Sequence, residues 1–356
     1  MTTRICVFEG DDAAPEAVTA TCGLLTSLDV DLEFTTPHVG GHADALRAGT
    51  LPEELRSAIE SADTVLFGAG SDLHATILRY LRWEYGGGTY ANLRPVCHFE
   101  GATSPLSDPE GIDYLVVREN LEGLYVRAEG DLPEAAGTLD ATSVGGTSLK
   151  DLGPGQYALR VTSEAHTRRF ARFACETAAD RVEETQPIRL TCATKSNVLP
   201  GTDGLFERTV ERTAAEYDQL TYEHLHVDDA AQRLVTDPRR FDVIVTPNFA
   251  GDVLSDVGAG TTGGLGVAPS GCYGDDVAYF EPVHGSAPDI AGEGSINPTA
   301  TLLSAAMLLE YVGAPAEATR LVRAIEATYR DGASLTPDQG GTATTEAFTA
   351  AVTDHL

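Results

Sequence analysis

Short β-branched and apolar runs alternate with longer helical stretches along this chain, and that alternation limits its fold more than any other feature. Ile5 to Phe8, Thr64 to Phe67, Tyr114 to Val117, Ile188 to Cys192 and Asp242 to Thr246 read as strands, while Ala14 to Ser27, Thr167 to Ala179 and Thr299 to Tyr311 read as helices. A helix between two strands carries the chain back across a sheet, so the pattern predicts an α/β protein with a largely parallel sheet. A length of 356 residues allows one large domain or two. A linker between independent halves is expected near Glu134, but Asp131-Leu-Pro-Glu-Ala-Ala-Gly137 is short and is followed by β-like Thr142, Ser143 and Val144. No clean sequential boundary, internal repeat or low-complexity tract is visible.

The 54 acids against 24 Lys plus Arg leave a net charge of −30, yet 42% of the residues are hydrophobic, ample for a large core. A field of that sign repels nucleic acid and anionic lipid, which argues against both as partners. Acid-rich, lysine-poor composition also fits a halophile, since strong screening tolerates dense surface charge. The cysteines at 6, 22, 97, 175, 192 and 272 form no Cys-x-x-Cys pair, so they are expected to be reduced and mostly buried in a cytoplasmic protein. The chain opens directly into Arg4-Ile-Cys-Val-Phe8, and no apolar run reaches the ~18 residues that span a bilayer, so neither export nor membrane anchoring is expected.

Lysine is nearly absent: Lys150 and Lys195 stand alone. Lys195 ends an apolar run in Leu190-Thr-Cys-Ala-Thr-Lys-Ser-Asn-Val198, where an ammonium, unlike a guanidinium, can be tuned to exchange a proton near neutral pH. It reads equally as a surface lysine. Phe241-Asp-Val-Ile-Val-Thr246 reads as a buried strand and Gly251-Asp-Val-Leu-Ser-Asp256 as the start of a helix, so Asp252 and Asp256, four apart, share a helix face. Their mutual repulsion makes a shared cation plausible. Asp228, in His226-Val-Asp-Asp229, could complete an all-oxygen site suited to Mg²⁺ or Mn²⁺ rather than zinc. In so acidic a chain a solvated helix face accounts for the pair as well. Arg79, Arg82, Arg94 and Arg118 form a second theme, either a grip on a substrate with several carboxylates or a set of surface ion pairs. Gly258-Ala-Gly-Thr-Thr-Gly263 matches G-x-G-x-x-G but follows a helical stretch rather than a strand, so it is not read as a dinucleotide turn.

Taken together, Asn92-Leu-Arg-Pro95, Val117-Arg-Glu-Asn-Leu-Glu-Gly-Leu-Tyr125, Thr194-Lys-Ser-Asn197, Gly251-Asp-Val-Leu-Ser-Asp256 and Glu281-Pro-Val-His-Gly-Ser-Ala-Pro-Asp289 resemble the metal-dependent β-decarboxylating hydroxyacid dehydrogenases. These comprise the isocitrate, isopropylmalate, homoisocitrate and tartrate/D-malate branches. The resemblance covers most of the chain and implies the fold of that family, two domains around a cleft and not a Rossmann fold. Residues 1–96 with 247–356 would form a large NAD-binding domain, and 97–246 a small domain with dimerisation elements. It also implies a homodimer with shared sites. Arg82, Arg94 and Arg118 would grip the malate carboxylates, with Asn197 also on the substrate. Asp252 and Asp256 would hold Mg²⁺ or Mn²⁺ with Asp228 from the other subunit, and Lys195, also from the other subunit, would take the hydroxyl proton. Tyr125 would protonate the enol left by decarboxylation. The cofactor would lie on His284, Gly285, Ser286, Ala287, Asp289 and Ile290, and on Asn297. Asp289 accepts from a ribose 2′-OH and repels a 2′-phosphate, so NAD is expected over NADP.

Two departures from the family pattern stand out. Gly-Asp-Gly-Ile-Gly-Pro-Glu becomes Gly10-Asp-Asp-Ala-Ala-Pro-Glu16, which narrows the backbone options of a loop expected near the nicotinamide. Between Arg82 and Arg94 the chain is two residues longer, through Gly86, Gly87 and Gly88. Substrate choice is expected at Thr76, Leu78 and Arg79: Leu78 suits an alkyl group, and Arg79 a carboxylate as in the homoisocitrate enzymes. Val116-Val-Arg-Glu-Asn120 and Gly341-Thr-Ala-Thr-Thr345 resemble tartrate/D-malate enzymes as much. A carboxylate-bearing malate is favoured slightly, with isopropylmalate next. The rival of a different class is a non-catalytic regulatory subunit, but such chains lose the base, tyrosine or metal acids kept here.

Overall fold

The computed structural model describes residues 2–132, 141–181 and 187–356. Twelve strands are present among them: β1 (Thr3–Phe8), β2 (Leu32–Thr35), β3 (Thr64–Phe67), β4 (Ala91–Cys97), β5 (Asp113–Glu119), β6 (Glu129–Asp131), β7 (Gln156–Ala158), β8 (Ile188–Thr194), β9 (Leu220–His226), β10 (Val243–Thr246), β11 (Pro269–Tyr273) and β12 (Ala278–Pro282). Ten of them form one sheet in the order β2-β1-β3-β12-β11-β4-β5-β10-β8-β9, and β6 pairs with β7 as a separate ribbon. The flanks are parallel, β2-β1-β3-β12 on one side and β5-β10-β8-β9 on the other. Between them β12-β11, β11-β4 and β4-β5 are antiparallel, so the two parallel flanks run in opposite directions.

All five expected strands are present: β3 has the expected bounds, β1, β5 and β8 run one or two residues further at an end, β10 begins one residue later, and the mixed α/β architecture follows the alternation. The interior strands are apolar without alternation, as in Thr64–Phe67 and Val243–Thr246, because helices cover both faces. Helix Thr299–Tyr311, buried almost all round, packs with Pro315–Asp331 in a cluster containing Leu302, Leu309, Leu321, Ile325, Tyr329 and Phe348. On the other flank, helices Glu164–Asp180 and Thr202–Ala214 bury Phe170 and Phe206 against Leu190, Val243 and Val245. The opposite face of that flank is covered by helices Val227–Thr236 and Asn248–Thr262.

Pro95 lies within a central strand, where its missing N–H would normally break a ladder. The break is avoided because β11 pairs β4 only as far as Leu93. Thr142, Ser143 and Val144 are not a strand: Thr142 bridges Ser148 across a tight turn that Gly145 and Gly146 permit, with Gly146 at φ +82°. Glu134 lies outside the described residues. Gly258-Ala-Gly-Thr-Thr262 is the end of helix Asn248–Thr262, as its place after a helical stretch implied. The six cysteines are unpaired, and Cys6, Cys175, Cys192 and Cys272 are buried. No helix among the described residues is long and apolar enough to cross a membrane.

Candidate active site

Register across the middle of the sheet assembles the centre of the site. Tyr279 of β12, Cys272 of β11, Asn92 of β4 and Arg118 of β5 are successive partners, so their side chains line up on one face. Arg94, two residues beyond Asn92, shares that face by the two-residue period of a strand. Just past β10, Pro247 opens helix Asn248–Thr262, which places Asp252 and Asp256 one turn apart above this face.

These residues converge on one carboxylate. Asp252 accepts from Arg118 through Oδ1, from Arg94 at 3.1 Å, and from the Tyr125 hydroxyl at 3.0 Å through Oδ2. Arg94 also reaches Ser255 Oγ at 2.7 Å, Asp256 at 3.5 Å and Asn92 Oδ1 at 2.8 Å, while Asn248 Oδ1 accepts twice from Arg118 at 2.8 and 3.2 Å. Arg118 lies over the Tyr125 ring at 5.6 Å. Burial, with the like charge of Arg94 added, pulls the Arg118 guanidinium down to about 10 against the pull of Asp252, which leaves it charged at neutral pH. Burial and then Asp252 push the Tyr125 phenol up, so it stays protonated. Gly251 is needed for the approach of helix to strand, since a Cβ there would lie 2.6 Å from Arg118 Cγ.

Tyr125 also lines a cavity of about 630 Å³ with Thr76, Leu78, Arg79 and Arg82. Arg82 donates to the Tyr279 hydroxyl at 3.3 and 3.4 Å and lies 3.7 Å from half-buried Glu281. Thr76 turns its hydroxyl to the Leu46 carbonyl at 2.8 Å, and Arg79 is occupied by Glu84 at 2.7 Å and the Gly49 carbonyl at 3.2 Å. Gly86, Gly87 and Gly88 all have positive φ and form the turn that absorbs the extra length before β4, leaving Arg82 in the cavity.

Lys195 and Asp228 form a second cluster, at the ends of adjacent strands β8 and β9, with Nζ 2.5 Å from Oδ1. Hydrogen bonding from Lys195 holds the Asp228 carboxyl below its ordinary range. Neither touches Asp252 or Asp256, and no group of three acid, histidine or cysteine side chains able to hold a metal occurs among the described residues. Asn197 is exposed beside them.

A third group lines a cavity of about 480 Å³: His284, Gly285, Ala287, Ile290 and Asn297, with Gly266 and Asp338. His284 donates from Nδ1 to the Gly285 carbonyl at 2.8 Å, and its Nε2 is buried without a partner among the described residues. Burial holds the ring below the usual histidine range, hence neutral, with Nε2 as an acceptor. Asn297 is saturated by Thr299, Asp338 and Tyr329. Ser286 turns to Asp12, at 2.6 Å, and Asp289 is exposed at the rim.

Several supporting residues escaped the sequence reading. Asn248 clamps Arg118, and Asp203, buried beneath Lys195, accepts from the Lys195 backbone at 2.7 Å and pairs with Arg160. Asp11 accepts from Ser71 and His74 at 2.6 to 2.8 Å, which ties the Gly10–Glu16 loop to the helix carrying Thr76. Only Asn92 had a usable signal, its position two residues before Arg94 on one strand.

Residues 4–356 match the isocitrate/isopropylmalate dehydrogenase family. The chain is 41% identical to isocitrate/homoisocitrate dehydrogenase of Thermus thermophilus, over 100% of this chain and 99% of the relative. It is 40% identical to 3-isopropylmalate/3-methylmalate dehydrogenase of Methanocaldococcus jannaschii, over 95% and 94%. The crystal structure of isocitrate dehydrogenase from Methylococcus capsulatus superposes with a TM-score of 0.80 at 30% identity, covering 99% of each chain. Fold, motifs and similarity along nearly the whole length agree: the chain belongs to the isocitrate/isopropylmalate dehydrogenase family, and it is a β-decarboxylating dehydrogenase of that type.

Proposed function

We propose that the chain oxidises and decarboxylates a 3-substituted (R)-malate with NAD and Mg²⁺ or Mn²⁺, with some preference for a substituent bearing a carboxylate. The observation that carries this reading is the convergence of Arg94, Arg118 and Tyr125 on Asp252 beside the cavity of Arg82. Three guanidiniums at one edge of a cleft match a substrate with several carboxylates.

The side chains fit both implied groups. Asp252 and Asp256 offer hard oxygens from adjacent turns, suited to Mg²⁺ or Mn²⁺, with Asp228 of a second copy as the third acid. The separation of Lys195 and Asp228 from Asp252 within one chain supports a homodimer whose sites are shared. The acceptor at His284 Nε2 and the adjoining cavity suit an adenosine, and Asp289 at the rim suits a ribose hydroxyl, hence NAD. A bound divalent ion would supply Lewis-acid stabilisation of developing negative charge on the substrate oxygens, and NAD would accept the hydride.

The chain's own groups do the rest. Arg82, Arg94 and Arg118 orient and neutralise the carboxylates. Lys195 of a second copy takes the proton from the substrate hydroxyl, and Tyr125, kept protonated by its surroundings, returns one to carbon after CO₂ leaves. Residues 1–96 with 247–356 would act as one domain and 97–246 as the other. The strand order supports that division, since β1, β2, β3 and β12 fall on one flank and β5, β8, β9 and β10 on the other. The test is NADH formation in molar KCl with Mn²⁺ and a panel of isocitrate, homoisocitrate, 3-isopropylmalate, tartrate and D-malate. Absence of turnover with every member refutes the reading.

A further inference from the structure

We propose that Asp12 is a positioning residue for the cofactor: its carboxylate pins Ser286 and so sets residues 284–290 in their binding shape before NAD arrives. The inference rests on the reading of that segment as the NAD wall and gives a role to the loop in front of it. Among the described residues only Asp12, Arg127 and Ala287 combine a Cβ with a positive φ, and two of the three lie on either side of one contact. Asp12 has φ +54° and Ala287 φ +53°, a region costly for residues other than glycine. Between them, Ser286 Oγ donates to Asp12 Oδ2 at 2.6 Å, and the Ala13 N–H donates to the Ser286 carbonyl at 3.0 Å. Glycine, the residue of the family motif at this position, would hold the same backbone freely; what aspartate adds is the bond to Ser286.

Both sides of the contact are built to keep it. Gly10 lies so close to the chain leaving β3 that a Cβ would come within 2.4 Å of the Ala69 carbonyl, and the Asp11 N–H donates to that same carbonyl at 3.0 Å. The Asp11 carboxylate accepts from Ser71 and His74 at 2.6 to 2.8 Å. Ala13, fully buried, forms a small apolar cluster with Ala17 and Ile296, against which Ala287 and Ile290 pack. Further along, Glu16 Oε1 accepts from the Gly292 N–H at 2.8 Å. The 10–16 loop is thus a bracket, anchored behind, that grips the cofactor segment at its middle and at its end. Ala287 and Ile290 line the cavity of about 480 Å³ with His284, so the bond at Ser286 fixes where that wall stands. A wall held in place beforehand removes the cost of ordering it when the ligand binds. The bond itself is exposed to solvent, where a hydrogen bond adds little to global stability.

The experiment compares wild type, D12G and D12N by hydrogen exchange of residues 284–292 in the free protein, by Tm, and by the Kd for NAD from calorimetry. D12G suits the left-handed backbone and so folds without the bond, while D12N keeps an oxygen for Ser286 and tolerates that backbone. D12G should speed exchange in 284–292 and raise the Kd for NAD about 3- to 10-fold, the loss of one hydrogen bond, with Tm near that of wild type. D12N should stay within about 2-fold of wild type in Kd, because the acceptor remains. Unchanged exchange or Kd in D12G, an equal rise of Kd in D12N, or a lowered Tm with Kd unchanged overturns the proposal. If wild type binds no NAD, the cofactor reading fails instead, and exchange then decides the hold on Ser286: faster rates in D12G alone uphold it, and equal rates in wild type and D12G overturn it.

Discussion

Replacing Asp252 by Asn tests whether the arginine pair is held by that carboxylate. Asp252 accepts from Arg118, Arg94 and Tyr125, and Asn keeps an acceptor while removing the charge. The Arg118 side chain is only 4% exposed, so it would face Arg94 with Asn248 as its main remaining partner. Breaking a buried pair from one side costs about 3–5 kcal/mol. With the Asp252 side chain 34% exposed, solvent screening brings the expectation down to about 2–3 kcal/mol. For a chain of 356 residues the unfolding entropy is about 0.75 kcal/mol per kelvin, so Tm should fall by about 3–4 °C. The measurement is calorimetric melting in EDTA, with Asp256→Asn as the control. Asp256 is 51% exposed and reaches Arg94 only at 3.5 Å, so that variant should shift by less than about 1 °C. If D252N melts no lower than D256N, the arginines are not organised by Asp252.

Four other outcomes are expected. Lys195→Met should remove most turnover while NAD binding by calorimetry stays intact, and Lys150→Met should be nearly silent; a near-normal kcat in K195M sinks the base assignment. Mixing K195M with D252N protein under conditions that exchange subunits should restore activity above either parent, and no recovery after demonstrated exchange argues against shared sites. Ser71 and His74 outweigh burial to hold the Asp11 carboxyl below its ordinary value, so the unfolded chain binds the extra proton first as acid is added. The stability Asp11 contributes is therefore full above the ordinary carboxylate range and is lost as pH falls through its lowered pKa, and Asp11→Asn should flatten the acid limb of Tm against pH. Gly251→Ala, which forces a Cβ to within 2.6 Å of Arg118 Cγ, should cost about 1–3 kcal/mol in chemical denaturation.

The legible parts of the site were those fixed by local periodicity. Asp252 and Asp256 meet because a helix repeats every 3.6 residues, and Arg94 and Arg118 were readable because each sits in a strand with a recognisable motif. His284 and Asn297 entered only through the family resemblance, and the structure places both on one cavity wall. Contacts set by pairing between distant segments were not readable: Asn92 touches Cys272 and Ser270 across 178 to 180 residues, and Asn248 meets Arg118 across 130. The β-like look of Thr142 to Val144 misled because β-branched residues beside a Gly-Gly turn have strand propensity but no neighbouring strand to pair with. Arg79 carried the substrate argument in sequence, yet its pairing with Glu84, five residues on, was set by the distorted helical turn at Tyr80–Glu84.

The antiparallel middle of the sheet has a mechanical consequence. β11, β4 and β5 are hydrogen-bonded to each other and to both parallel flanks, so no loop in the sheet offers a free hinge between them. Any opening of the cleft must be taken up as added twist along these strands. Such twisting would displace Arg94 and Arg118, on that central axle, least, and would swing Thr76 to Arg82 on one flank and the Tyr125 turn on the other through the larger arc. In the proposed reaction the arginine pair would thus serve as a fixed pivot, and the residues expected to discriminate among substituents as the jaws that close on it.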